Sequence, residues 1–261
     1  TGMSFPTAMK VVDAFLEKGL LVELDETGPA AGAGRKGRLL RFEPGAYRAV
    51  GVECEGRFAR VGLADMAGGV QARETIELGD FARTRDLSPI AAAIRRMCAA
   101  ANGAPVLGVC IGFPANLDPD AAAIVSYAAM DIQQPTSFAQ VFPAFWREVE
   151  LPVYLENDAN LACEGEAFLR RGAGGAANML YLSIGSGCGG AVRLDGKLRR
   201  GARCRAGEVG AMLLQPALGA PGRSAARETL EDAVCLAALE RRFGAALRDG
   251  AQPGEASAQA M

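Results

Sequence analysis

The sequence predicts an α/β chain built from two like domains, preceded by a small helix–strand–strand unit. Three observations predict it. From Tyr47 onward, apolar runs of strand length give way to alternating helical and strand patterns. Near Ala177 the cycle restarts, with a strand, a glycine turn and a further strand. Before Tyr47, one helical pattern is followed by two short apolar runs around a Gly/Ala/Pro loop. The expected boundaries are 1-46, 47-176 and 177-261.

Ser4 can cap the first helix, with Pro6 in its first turn. Ala8, Val11, Val12, Phe15 and Leu16 share one expected buried face, and Gly19 ends the helix. Strands are expected at Leu20–Leu24 and Arg38–Phe42. This is the order of the C-terminal half of a winged helix. Arg35, Lys36, Arg38 and Arg41 cluster there without an intervening acid, as a wing lying along phosphates would have them. The same cluster also suits a solvated hairpin. Polar Thr7 and Lys10 on the free face of the helix favour DNA. A helix-turn-helix needs a supporting helix before its recognition helix, so further residues are expected before Thr1.

Val50–Cys54, Phe58–Asp65 and Val70–Leu78 read as three successive strands. Asp86-Leu87-Ser88-Pro89 opens a helix reaching about Ala101, with Ile90, Ile94 and Met97 inward. Val106–Gly112 is a buried strand and Ala121–Ser126 a short one. An amphipathic helix is expected across Phe138, Val141, Phe142, Phe145 and Trp146. Val153–Glu156 is a strand and Ala159–Arg171 a helix. These describe an α/β domain with a mixed sheet. In the second cycle, strands are expected at Asn178–Ile184, Gly189–Leu194, Lys197–Arg199 and Val209–Leu214, with a helix over Leu230–Phe243. Asp195-Gly196 is a hairpin turn. Beyond Phe243 the apolar period is lost, which suggests either a disordered loop inside a longer chain or further residues after Met261.

Composition narrows the chemistry. Half of the 261 residues are apolar, 22% are charged and the net charge is -2, so binding to nucleic acid or membrane needs local clustering. No apolar run approaches the roughly 20 residues that span a bilayer. The seven scattered cysteines are odd in number and read as reduced thiols of a cytoplasmic protein. Histidine is absent, which excludes Ser-His-Asp triads and His-ligated zinc within these residues.

Two strings carry the polar chemistry. LENDAN, Leu155 to Asn160, sets Asn157 and Asp158 where an apolar strand stops and a helix begins. YLSIGSGCGGAVRLDGKLRRG, Tyr181 to Gly201, breaks a strand at Gly185-Ser186-Gly187. Asp158 can act as a base, hydrogen-bond a ligand, or cap the helix. The glycine turn can aim N–H groups at an anion or simply tighten the backbone.

Together with GRKGRLLRF and AGEVG, these strings resemble the ROK family of repressors, open reading frames and kinases. The resemblance implies two actin-like (ribonuclease H-like) ATPase-type domains that close on a sugar, often in dimers, with a partial winged helix-turn-helix in front. Asp158 is then similar to the family's base, Gly185-Ser186-Gly187 to its second phosphate turn, and Asn157, Glu208 and Glu231 to sugar contacts. Departures from the family pattern matter. Its kinases carry Asp two residues before Gly-Gly-Thr; here Glu53 precedes Glu55, Gly56 and Arg57. A carboxylate about 4 Å from a phosphate charge costs about 4 kcal/mol at a partly buried site. The family's zinc histidine is replaced by Ala211, and no cysteine follows in PALGAPGRSAARETLE. The reading is therefore a cytoplasmic, sugar-responsive DNA-binding regulator, a homodimer with an operator and a small sugar as partners, without metal or cofactor. The alternatives are an ATP- and Mg-dependent sugar kinase of glucokinase or N-acetylhexosamine kinase type, and a decayed protein binding neither sugar nor DNA.

Overall fold

The structure is a computed structural model and describes residues 2–27, 38–171, 176–214 and 228–248. Arg35 and Lys36 lie outside the described residues.

The chain opens with helix α1 (Phe5–Glu17), capped by Ser4, whose hydroxyl accepts the Thr7 N–H. Gly19 follows at φ 68, the left-handed region that suits a residue without Cβ. Strands β1 (Leu21–Thr27) and β2 (Arg38–Phe42) form an antiparallel pair. The expected buried face of α1 is only partly realised. Ala8, Val12 and Leu16 are half-buried against the rest of the unit, while Val11 and Phe15 stay exposed. The helix packs on β1, and two short strands cover a narrower stripe than the sequence offers.

A five-stranded mixed sheet follows. Strands β3 (Arg48–Glu55), β4 (Phe58–Asp65) and β5 (Val70–Glu77) form an antiparallel meander. After helices α2 (Phe81–Thr84) and α3 (Ser88–Ala100), β6 (Val106–Phe113) returns parallel to β3. The sheet order is β10-β6-β3-β4-β5, with β10 (Val153–Asn157) parallel to β6. Alternation sets the buried face: Val50, Val52 and Cys54 point inward beside Val61 and Leu63, and α3 covers them with Ile90, Ile94 and Met97.

Between β6 and β10 lie the short strands β7 (Asn116–Asp118), β8 (Ala123–Ser126) and β9 (Thr136–Ser137), then helices α4 (Phe138–Val141) and α5 (Pro143–Glu148). The single helix expected across Phe138–Trp146 is two, because Pro143 lacks the N–H that would continue the first. Phe113, fully buried, anchors this region with edge-to-face contacts to Phe81, Tyr127, Phe138 and Phe142 at centroid distances of 5.4 to 5.7 Å.

Helix α6 (Asp158–Leu169) joins the two halves. It packs on β6 and also on β11 (Met179–Ile184) and β12 (Cys188–Leu194). These two strands and β13 (Lys197–Leu198) form a three-stranded antiparallel sheet. The β12–β13 turn has Asp195 at φ 53 and Gly196 at φ 71, as a type I′ hairpin requires.

The expected strand at Val209–Leu214 is not formed. Val209–Ala211 is a 3-10 turn, and only Leu213 makes an isolated bridge, to Thr229. The chain passes too close to β12 for a strand with side chains: a Cβ on Gly210 would lie 2.1 Å from the Cys188 carbonyl oxygen. The last expected helix is likewise two, α7 (Leu230–Val234) and α8 (Leu236–Arg248), separated at extended Cys235. No helix among the described residues is long and apolar enough to cross a membrane.

Candidate functional site

The site gathers where β10 meets α6 and where the β3–β4 and β11–β12 turns face each other. Asn157, not Asp158, is the N-cap of α6. Its Oδ1 accepts the Asn160 N–H at 3.1 Å, and its Nδ2 donates to the Ala115 carbonyl at 3.3 Å. The capping role that the sequence left open for Asp158 falls one residue earlier, since β10 runs through Asn157 before the helix starts. Asp158 is therefore the first helical residue. Its Oδ1 accepts the Ala159 N–H at 2.8 Å. Burial pushes its carboxyl above the usual carboxylate range, partly offset by that hydrogen bond, and the charges of Glu53 and Glu55 push it further up.

Other groups crowd this carboxylate. The buried Cys54 thiol is pushed up to about 12, first by burial and then by the negative charges of Asp158 and Glu53. The Tyr127 hydroxyl is raised by burial, Cys54 and Asp158, in that order. Glu208 is raised by burial, lowered by Arg205, and raised again by Asp158 and Glu231. Glu208 thus lies within electrostatic reach of both Asp158 and Glu231.

The two glycine-bearing turns line a cavity of about 580 Å³, together with Phe58, Arg60, Thr75 and Leu236. Glu55 projects into it. A Cβ on Gly185 would sit 3.5 Å from Glu55 Oε1. Arg60 is held between Glu53 and Glu55, with a guanidinium nitrogen 2.8 Å from each carboxylate. The second turn is also engaged: the Cys188 N–H donates to Glu231 Oε2 at 2.8 Å. A second hollow of about 360 Å³, beside Arg85 and Gln133, includes none of the residues expected at a site.

The ROK family pattern matches residues 49–258. The chain belongs to the ROK family.

Relatives of this ROK chain fall on both sides of the family's division. It is 34% identical over 141 residues to a glucokinase of Halalkalibacterium halodurans, covering 51% of this chain and 40% of that protein. It is 27% identical over 208 residues to the xylose repressor of Caldicellulosiruptor bescii, covering 78% of this chain and 50% of that protein. The chain spans about half or less of the length of these relatives. Among solved structures, it superposes on a ROK family transcriptional regulator, a homolog of the E. coli MLC protein, with TM-score 0.73 and 17% identity over 96% of this chain and 62% of that one. That likeness carries the fold: a mixed α/β ROK architecture.

The remaining residues singled out in the sequence are scattered by comparison. Ser4 and Thr7 are joined at the start of α1, their hydroxyls 2.8 Å apart, and Lys10 is exposed. Arg38 is paired with Glu23 across the β1–β2 ladder at 2.5 Å. Sequence reasoning missed Arg60, Arg200 and Glu156. For Arg60 a signal existed: a hairpin turning at Gly56-Arg57 pairs Glu53 with Arg60 directly across the strands.

Proposed function

We propose that this ROK chain belongs to a sugar-responsive transcriptional regulator and does not transfer phosphate. The observation that carries the reading is the Glu55 carboxylate in the cavity between the two facing turns, beside Arg60 and an exposed Arg57 that leans toward Glu77 at 3.9 Å. Glu55 points into the cavity that a nucleotide phosphate would need, Arg60 is already shared between two carboxylates, and Glu231 accepts an N–H of the second turn. Magnesium triphosphate does not fit that donor set. A structural zinc does not fit either, since Ala211 replaces its histidine.

In this reading residues 47-176 and 177-261 are two actin-like domains, each around its own sheet. They close on a sugar held by Asp158, Glu208 and Glu231. Asn157 retains one free donor hydrogen and one free lone pair for the same ligand after its cap and Ala115 bonds. Residues 1-46, a helix followed by an antiparallel hairpin, act as the DNA-contacting part of a winged helix. Ser4 at the helix cap, Thr7 and Lys10 on the helix, Arg38 on β2, and Arg35 and Lys36 outside the described residues are the proposed DNA contacts. A cytoplasmic homodimer would present two such units to an operator. Ligand binding changes operator affinity only if it favours one arrangement of the domains over the other.

The test is mobility shift by the full-length protein on DNA flanking its gene, with and without glucose, mannose, N-acetylglucosamine and xylose. Retention of a fragment that changes with one sugar supports the reading. Failure to retain any fragment at moderate salt overturns it.

One observation favours sugar kinase activity instead. The raised carboxyl of Asp158 suits a base that takes a hydroxyl proton. Coupled measurement of ATP consumption with the same sugars decides this. Turnover that vanishes in Asp158→Asn would establish the kinase.

A further inference from the structure

Glu156, the last residue before Asn157, is one of the most enclosed charged groups among the described residues at 7% exposure. A carboxylate so placed stays charged only when paired and fully hydrogen-bonded. Oε1 accepts the Asn157 N–H and the Asn160 Nδ2, both at 3.0 Å. Oε2 accepts Nε of Arg200 at 2.8 Å and Nη2 at 2.6 Å. One oxygen therefore holds the β10–α6 junction, and the other holds a guanidinium that follows β13 of the other sheet.

Arg200 opens the loop that ends at Glu208. The Ala206 N–H closes this loop onto the Arg200 carbonyl at 3.0 Å. Gly207, at φ 93, then presses against Gly190 of β12. Within the loop, Arg205 Nη2 donates to Ser126 Oγ of β8 at 3.2 Å. The segment carrying Glu208 is thus tied to the five-stranded half through two arginines. The junction also tolerates an unsatisfied acceptor to keep the arrangement. Asn160 is 6% exposed and its Oδ1 has no partner among the described residues. Turning the amide over would set that oxygen against the Glu156 carboxylate, so the amide stays as it is.

We propose that the Glu156–Arg200 pair is an interdomain latch. It positions the strand end bearing Asn157 and Asp158 against the loop bearing Glu208, so ligand binding senses the spacing between the two sheets. Glu156 and Arg200 are positioning residues and touch no ligand themselves. The inference deepens the ligand site proposed above and rests on that reading for its ligand arm.

The test uses the full-length protein with Arg200→Lys, Arg200→Ala and Glu156→Gln, and with Arg199→Ala as a neighbouring control. Hydrogen exchange without ligand reads the latch directly. Amides of Asn157 to Asn160 and of the Arg200–Glu208 loop should exchange about tenfold faster in Arg200→Ala and Glu156→Gln, with β4 and β5 amides unchanged. Arg200→Lys keeps the charge but loses the two-pronged contact and should fall between. Calorimetry with the sugar that binds the wild type best should show about tenfold weaker binding in Arg200→Lys, at a temperature well below unfolding. If Arg200→Ala does not fold, Arg200→Lys and Glu156→Gln carry the test. A uniform rise in exchange across the whole chain, or none beyond that of Arg199→Ala, overturns the latch. A wild type that binds none of the sugars defeats the ligand reading while the exchange arm still decides the latch.

Discussion

Glu55→Gln should let a nucleotide approach the cavity between the two turns. Glu55 Oε2 sits 2.8 Å from Arg60, and Arg60 is shared with Glu53, so the trio carries a net charge of about -1. A phosphate charge about 4 Å from Glu55 is repelled by about 4 kcal/mol at an effective dielectric of about 20. Arg60, about 6 Å away, returns about 3 kcal/mol, and Glu53, about 8 Å away, takes back about 2. Arg57 lines the same cavity, exposed and 3.9 Å from Glu77, and offsets part of what remains. The Glu55 side chain is 45% exposed, so each term is roughly halved. Removing the Glu55 charge alone then recovers about 2 kcal/mol, or about thirtyfold in affinity. Titration calorimetry with a non-hydrolysable ATP analogue and Mg²⁺ measures it. Arg60→Gln, which leaves both acids unpaired, should move affinity the other way. Micromolar binding by the wild type, unchanged in Glu55→Gln, would refute the charge argument.

Asp158→Asn should stabilise the folded chain at pH 7. The carboxyl is raised above 3.8 on folding, so the folded state is penalised at every pH above that raised value, and the penalty disappears as the carboxyl protonates. The gain should therefore shrink to nothing as pH falls toward 3.8, which denaturation at a series of pH values follows. Gly210→Ala places a Cβ 2.1 Å from a backbone oxygen that cannot rotate away. A loss of about 2–4 kcal/mol is expected in guanidinium unfolding, and a loss below about 1 would contradict the close approach. Phe113→Ala removes a fully buried ring with four edge-to-face neighbours and should cost about 3–5 kcal/mol by urea denaturation, with Phe113→Leu costing about 2.

Strands that bury one face were legible because each side chain position reports on its own environment. The alternation of Val50, Val52 and Cys54 is visible in the string itself, and β3 to β6 lie within a residue or two of where that pattern puts them. Val209–Leu214 was misread because its apolar run meets the same criterion. What excludes a strand there is a partner backbone some twenty residues earlier, pressing on Gly210, which no local window contains. The site divides the same way. Asn157 and Asp158 sit at a strand–helix junction, and the junction is written in the sequence. Glu156 read as an ordinary strand residue, because its partner Arg200 lies 44 residues on. A buried carboxylate declares itself only once the chain has folded the counter-charge onto it.

Trp146 is the sole tryptophan of the chain, and its indole leans on Phe138 at a centroid distance of 6.3 Å. Emission excited near 295 nm therefore comes from the aromatic knot beneath the five-stranded sheet. The other sheet has no indole and contributes no such signal of its own. Melting followed by this light tracks one half of the molecule, and melting followed by far-ultraviolet dichroism tracks both. Coincident curves would mean that α6 makes the halves unfold as one cooperative body; separated curves would mean that each half has its own transition.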